Sequence, residues 1–580
     1  MRSAASRITK SPLGERLAAI PNAWKSRTNI VSPDLCDDVI RRLAPSLAQH
    51  FGCTIIDINP GIGLWSSKLH DYLKPRNHIL MEPKQNVYLP FLQPLLDAPG
   101  SRYRLENWPD SHVWQPKRYV EEGLLHDVEG HGGPPPTTEE PNNLILIIAN
   151  LAGQRHRTAG EPKATMSAHL KAIDFSHAAR HRSGFQSYGP TRMLMWLSDQ
   201  DKRPLLPRTV GYRGKVSAYI EAVLHLEEIV GFPHASDARI RREDALDIES
   251  GKQVAKRMRE QDVKIPSHRQ ARPGDRISDL SGVSRHWHKE LQELEEGFQR
   301  GKFRQYVETP AEKSIDGHTL GVKSRKARGR DSETLTPEYK RMTTLRYVVN
   351  GQNVTIDRIN AVLKKQETID KMDLDLHRED IKALEQDEII KALDSSIHEF
   401  KDELETLTTK QLKTLCFLDD DRRAFAMDPP LLMWDRRKAE PLSAKENEFY
   451  APGEIALLDF QPKTADKIQM TSEQSIYFDL ISTSLFGPSG QTTLKHLKTV
   501  APGAFEALVP QVLAIRDPRR GGRYDVESLR VRAVTPEMIH GLAIAWDNWV
   551  FKPPIEDALT QFGTSFEERT TSKKGAIARL

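Results

Sequence analysis

Residues 53–63 read Cys-Thr-Ile-Ile-Asp-Ile-Asn-Pro-Gly-Ile-Gly. The first six are apolar or β-branched apart from Asp57, too few for a helix, so they predict a buried strand of a parallel sheet. Asn59-Pro60-Gly61-Ile62-Gly63 breaks that strand, and helical spacing resumes as far as Leu73. Glycines in such a turn let backbone approach a ligand closely. A second strand, His78 to Met81, ends at Glu82, 21 residues after Gly61. An acid at that point can accept hydrogen bonds from both ribose hydroxyls of a nucleoside cofactor. A structural turn beside a solvated Glu is the plainer alternative.

The same alternation extends on both sides. Residues 33–50 predict a helix, capped by Ser32, with Pro33 in its first turn and Leu35, Val39, Ile40 and Leu43 on one face. Downstream come a helix over 85–97, a strand around 103–105, an exposed breaker loop at 131–141 and a strikingly apolar strand from Leu144 to Ala149, ending at Asn150. A helix near 162–175 and a strand over 192–197 follow. Strands alternating with helices predict an α/β domain with a largely parallel sheet.

The pattern breaks at about 235. Residues 236–335 are charged with few apolar anchors and read as partly disordered, and helical spacing returns from Ile356, as helices or a hairpin. A strand over 455–460 and helical patterns over 472–560 close the chain, with Thr535-Pro536 as a helix start. The expected organisation is a basic arm or transit segment over 1–28, an α/β domain over 29–234 and a charged insertion over 235–425. The end of the sheet follows over 426–470, then a small helical domain over 471–560 and a polar tail over 561–580.

Composition narrows the classes. The chain has 580 residues, 38% hydrophobic and 28% charged. No run of 18 apolar residues occurs, so no membrane span is expected. Cys36, Cys53 and Cys416 are too far apart for a disulfide framework or a zinc spacing, and suit a reducing compartment. The net charge of +4 implies no nucleic-acid partner by itself. Residues 1–32 carry six basic side chains and one acid, with Leu17, Ile20 and Trp24 at helical spacing. That is the profile of a mitochondrial transit segment, and equally of a basic arm folding onto the domain.

The Asp57–Gly63 turn with Glu82 resembles the Rossmann-like fold of S-adenosylmethionine-dependent methyltransferases. More narrowly it is similar to the rRNA adenine N6-dimethyltransferases and their relatives, the mitochondrial transcription factors B. Asn29-Ile30-Val31 stands where that family has Asn-aromatic-Leu, and Asn59 replaces the first glycine of its motif. The resemblance implies cofactor contacts at Asn29, Val31, Asn59, Gly61, Gly63, Glu82, Asn107 and Asn150, with Asn107 in place of an acid. The family clamps its target adenine with Asn-(Leu/Ile)-Pro-aromatic; here the stretch is Asn150-Leu151-Ala152-Gly153. The ring that would offset base unstacking is missing. The family's basic Phe-x-x-Arg-Arg-Lys-x-Leu motif is also missing from the stretch beginning Leu485-Phe486. These losses resemble the branch that serves as mitochondrial transcription initiation factors, as do Met433-Trp434-Asp435 and Trp549-Val550-Phe551-Lys552-Pro553.

Lys202, Arg203, Arg208, Arg213 and Lys215 cluster after the strand over 192–197, with Tyr212 among them. Basic residues with an interleaved aromatic suit single-stranded nucleic acid, and a solvated loop face is the alternative. Further basic runs lie at 323–330 and 516–523. Trp196, Trp434, Trp546 and Trp549 read more readily as core than as base-stacking rings. The expectation is a monomeric, matrix-located initiation factor without catalytic residues. It would join mitochondrial RNA polymerase at promoter DNA over a vestigial S-adenosylmethionine pocket. The alternative is an active dimethyltransferase of mitochondrial small-subunit rRNA.

Overall fold

The stretch 53–63 forms a strand, a turn and a helix start. In the computed structural model Thr54–Ile58 (β2) is buried along its whole length, as an apolar run flanked on both sides must be. The structure describes residues 11–21, 23, 27–106, 125, 141–153, 168–181, 183–232, 242–271, 290–297, 337–379, 381–451, 453–463, 470–486 and 492–554.

The chain divides into two units: residues 1–236, 248–276 and 420–580 form the first, and 237–247 with 277–419 form the second. The first unit begins with helix α1 (Pro12–Ala18), capped by Ser11, and the short strand β1 (Asn29–Ile30). Helix α2 (Pro33–Leu47) begins as its sequence requires, with Ser32 Oγ accepting from the Leu35 amide at 3.2 Å and Pro33 at the first position. Then come β2, α3 (Leu64–Leu73), β3 (Asn77–Met81), α4 (Gln85–Leu96), β4 (Tyr103–Glu106), β5 (Ile145–Asn150), α5 (Ala168–His181) and β6 (Arg192–Ser198). Helix α6 (Lys215–Val223) leads into β7 (Leu224–Gly231).

The main sheet has eight strands in the order β4-β3-β2-β5-β6-β10-β7-β8, where β8 is Leu442–Ser443 and β10 is Ile455–Pro462. All neighbours are parallel except β10, which runs antiparallel between β6 and β7. The β4-β3-β2-β5-β6 half has the 3-2-1-4-5 order of a doubly wound sheet, whose switch point lies between β2 and β5. The expected α/β class and mostly parallel sheet are therefore present. A separate pair, β1 with β9 (Phe449–Tyr450), ties the N-terminal arm to the segment that precedes β10.

Both faces of the sheet are covered. On β6, Leu194 and Trp196 face one way, into the cluster with α2 and α3; Met193, Met195 and Leu197 face the other, into a cluster that includes α5 and α6 and continues into helices α11 (Ser472–Phe486) and α12 (Pro536–Asp547). This period-2 division explains why the strand is apolar throughout. The helical residues 472–547 share a continuous hydrophobic cluster with the sheet and belong to the same unit. Trp196, Trp434 and Trp546 are buried core.

The polar middle differs from its reading. Residues 248–276 belong to the first unit. There Arg269 is buried and donates to Asp38 at 2.7 Å and to Glu448 at 2.6 Å, while Ser250 Oγ donates to Asp435 at 2.7 Å. Helix α7 (Asp244–Glu260) is ordered by such polar contacts, which a composition argument does not see. The second unit contains α8 (Pro337–Leu376) and α9 (Ala383–Glu405), a helix pair as the spacing from Ile356 predicts. Its own clusters include Leu291, Tyr339 and Leu345, and Ile359, Val362, Leu407 and Leu415. Helix α10 (Thr409–Ala426) runs on into the first unit. No described helix is long and apolar enough to cross a membrane.

Candidate functional site

Ligands of a doubly wound sheet sit beyond the carboxyl ends of its strands, at the switch point. The carboxyl ends of β2, β3 and β5 bring Asn59, Gly61, Glu82 and Asn150 together. Asn59 and Gly61 both adopt left-handed backbone, at φ +60° and +62°. The Asn59 side chain donates to the Asn150 carbonyl at 3.2 Å. Gly63 (φ +72°) begins α3, and a Cβ there would meet Leu92 at 2.9 Å.

Glu82 is fully buried. Its Oε2 accepts from the Gly61 amide at 3.0 Å and from Arg27 Nη1 at 2.9 Å. Its Oε1 accepts from the Lys84 amide at 2.8 Å and from Arg27 Nη2 at 2.8 Å. A carboxylate has about four lone-pair sites. All are taken, so the acid placed to read a ribose is saturated by the protein's own groups.

The N-terminal arm also lies in this cleft. The Arg27 guanidinium lies over the Tyr88 ring, 4.9 Å from its centroid. Asn29 Nδ2 donates to Tyr88 Oη at 3.1 Å, and its Oδ1 stands 2.3 Å from where a Gly61 Cβ would lie. Val31 is buried beside Tyr88 and Leu92. Asn150 holds the arm from the other side: its Nδ2 donates to the Thr28 carbonyl at 2.9 Å and its Oδ1 accepts from the Ala152 amide at 3.2 Å. The Thr28 amide returns a bond to the Ala152 carbonyl at 2.9 Å. Leu151 and Ala152 are buried and Gly153 is exposed. Asn107 lies outside the described residues.

The residues therefore converge as the spacing predicts, but in this arrangement they do not fit S-adenosylmethionine. The ribose acid has no acceptor left, and the glycine turn faces Asn29 and Leu92 rather than an open cradle. Asp57, the acid of the glycine motif, is turned to His78 at 3.3 Å. Arg27 and Tyr88 are the residues of this cleft that sequence reading missed. Arg27 reads as one more basic residue of the arm, and no local signal links it to an acid 55 residues away.

No protein-family model matches the chain, and no curated protein matches it.

The basic cluster after β6 is corrected in part. Lys202 is buried between Asp199 and Glu228, and Arg213 is fully buried with Nε and Nη2 on Glu221 and Nη1 on the Arg532 carbonyl. Burying a cation requires such partners, so these two are internal ion-pair residues rather than phosphate contacts. Arg203 pairs with Asp199 at 3.3 Å, and Arg208 lies over Trp434 at 4.0 Å and near Glu228 at 3.4 Å, each with about a quarter of its side chain exposed. Lys215 Nζ donates to Thr483 at 2.6 Å, and the Tyr212 hydroxyl is buried. On the C-terminal side, Arg516, Arg519 and Arg520 are exposed, with Arg519 on Asp517 at 3.0 Å and Arg520 on Glu537. The run 323–330 lies outside the described residues.

Residues 12–18 of the arm form α1, with Leu17 buried against Tyr88, Phe91 and Leu92 and Arg16 over the Phe91 ring.

Proposed function

We propose that the protein is a non-catalytic member of the methyltransferase-like group it resembles: a monomeric mitochondrial transcription initiation factor of the matrix. It assists the mitochondrial RNA polymerase in melting promoter DNA. The observation that carries this reading is the saturation of Glu82 by Arg27. A methyltransferase must leave that acid open to its cofactor, whereas a scaffold can use it to anchor its own arm. The Asn150-Leu151-Ala152-Gly153 stretch supports the same reading, because its Asn is spent on Thr28 and Ala152 and no ring follows. The transcriptional role rests on the resemblance; Arg203, Arg208 and Lys215 of the basic cluster, and Arg516, Arg519 and Arg520 on the C-terminal side, keep exposed surface to offer a strand.

The test is a reconstituted transcription assay on a linear promoter template with the cognate polymerase. It is run beside a calorimetric titration with S-adenosylmethionine. Raised promoter-specific initiation without cofactor heat supports the proposal; no effect on initiation overturns it. Convergence of Gly61, Glu82 and Asn150 on one cleft favours a second reading, an rRNA adenine dimethyltransferase whose arm withdraws. Methyl transfer to small-subunit rRNA, lost in Asn150→Ala, would establish that reading instead.

A further inference from the structure

Away from the cleft, α5 carries His177 and His181 one turn apart, so both imidazoles project from the same side of the helix. Their rings stack with centroids 5.8 Å apart and planes 15° from parallel. Helix α11 sets Asp479 against them, with His181 Nε2 3.1 Å from Asp479 Oδ2. One donor atom from each of the three residues lies within 4.8 Å of the other two. We propose that His177, His181 and Asp479 form a site for a zinc-type divalent transition-metal ion that fastens α5 to α11.

The donor chemistry selects that class of ion. Two imidazoles and one carboxylate suit zinc and its neighbours, whereas magnesium and calcium favour oxygen alone. The Tyr219 hydroxyl stands 3.3 Å from His177 Nδ1, and its ring stacks on the imidazole at 4.2 Å. That contact restrains the imidazole ring. Asp479 Oδ1 is buried. His181 is 37% exposed, which leaves it able to close the last fraction of the distance and leaves a side open for a water ligand. Arg180 and Lys215 lie close enough to act on His177 and oppose a dication, so binding is weaker than at a cysteine-rich site. Arg180 is itself drawn over the Phe478 ring, 3.9 Å from its centroid.

The ion would join the helix that precedes β6 to the helix that follows β10, two parts of the first unit far apart in sequence. Without an ion, the His181–Asp479 contact is a partly exposed pair worth little. This inference is independent of the transcriptional reading.

The full chain, stripped with a chelator, is titrated with Zn²⁺ and separately with Co²⁺. The expected result is one saturable equivalent, visible ligand-field bands from cobalt, and a higher melting temperature with Zn²⁺. His181→Ala and Asp479→Asn should each weaken binding by at least roughly tenfold and remove the thermal shift, and Tyr219→Phe should weaken it by roughly tenfold. The exposed His398→Ala serves as control and should bind as the parent does. Should either ligand variant unfold, His181→Gln with circular dichroism before titration keeps the comparison valid. Absence of a saturable equivalent in the parent, or unchanged binding in both ligand variants, overturns the site.

Discussion

Arg27 and Glu82 stand 55 residues apart in the chain and meet through two parallel hydrogen bonds of 2.9 and 2.8 Å, both side chains buried. Such a two-pronged pair is directional as well as strong. It seats the arm at the carboxyl ends of β2 and β3, the end of the sheet where doubly wound folds hold their ligands.

Removing the arginine should have two effects. Arg27→Ala leaves a buried carboxylate with only its two backbone donors and should cost about 3 kcal/mol in urea denaturation. Adding Glu82→Gln should recover part of that loss, with a coupling above about 1 kcal/mol in the double-mutant cycle. Arg27→Ala also releases two acceptor positions on Glu82. The variant, unlike the parent, should give measurable heat with S-adenosylmethionine.

Gly61→Ala should destabilise by about 2 kcal/mol or more, from left-handed backbone plus a clash. The new Cβ would lie 2.3 Å from Asn29 Oδ1 at φ +62°. Gly153→Ala, exposed and with nothing within 4 Å, should be nearly neutral by the same measurement.

Two arginines of the basic cluster should behave differently. Arg213→Ala strands the buried Glu221 and should cost about 3–5 kcal/mol, lowering the melting temperature markedly. Arg203→Ala removes a partly exposed pair and should cost about 1 kcal/mol or less. If both variants melt alike, the assignment of Arg213 to the interior is wrong.

Acid should weaken the fold before its carboxylates protonate. His50 is buried, its Nδ1 3.0 Å from the Asn143 carbonyl, and burial reinforced by Arg192 holds its pKa down to about 4. The unfolded chain binds that proton near pH ~6.5, so stability is full above this point and falls between about 6.5 and about 4. The loss from His50 alone should be about 2 kcal/mol at pH ~5. His70, also held down to about 4 by burial and then by His78, acts in the same direction. Denaturation midpoints of the parent and His50→Gln at two pH values check the slope, which should be shallower in the variant.

The second unit should be dispensable for the fold of the first. Replacing residues 277–419 with a short Gly/Ser linker should leave a cooperative unfolding transition within about 1 kcal/mol of the parent's. The unit has apolar clusters of its own, and among the described residues the main sheet takes no strand from it. Loss of the near-ultraviolet dichroism of the buried Trp196 and Trp546 would refute this.

The features legible in the sequence are those whose causes are local. The apolar runs of β2, β5, β6 and β10 mark strands because neighbours on both sides demand them. The Ser32-Pro33 and Thr535-Pro536 starts mark helices because capping acts within three residues. The spacing of Gly61 and Glu82 located the cleft for the same reason. β7 escaped notice because Glu227 and Glu228 interrupt its apolar pattern. They are tolerated there because Arg42 pairs with the first and Lys202 and Arg208 approach the second from other elements.

What tertiary structure alone decided is which charges meet. A buried ion is stable only beside a partner, and that partner can come from any point along the chain. Arg27 closes on Glu82, Arg192 on Asp459 at 2.6 Å, and Arg213 on Glu221. As a sequence, the chain determines an α/β sheet with a glycine-containing turn at its switch point. Only folding determines that the turn is filled by the protein's own arm, because hydrophobic period is a local property and charge pairing is not.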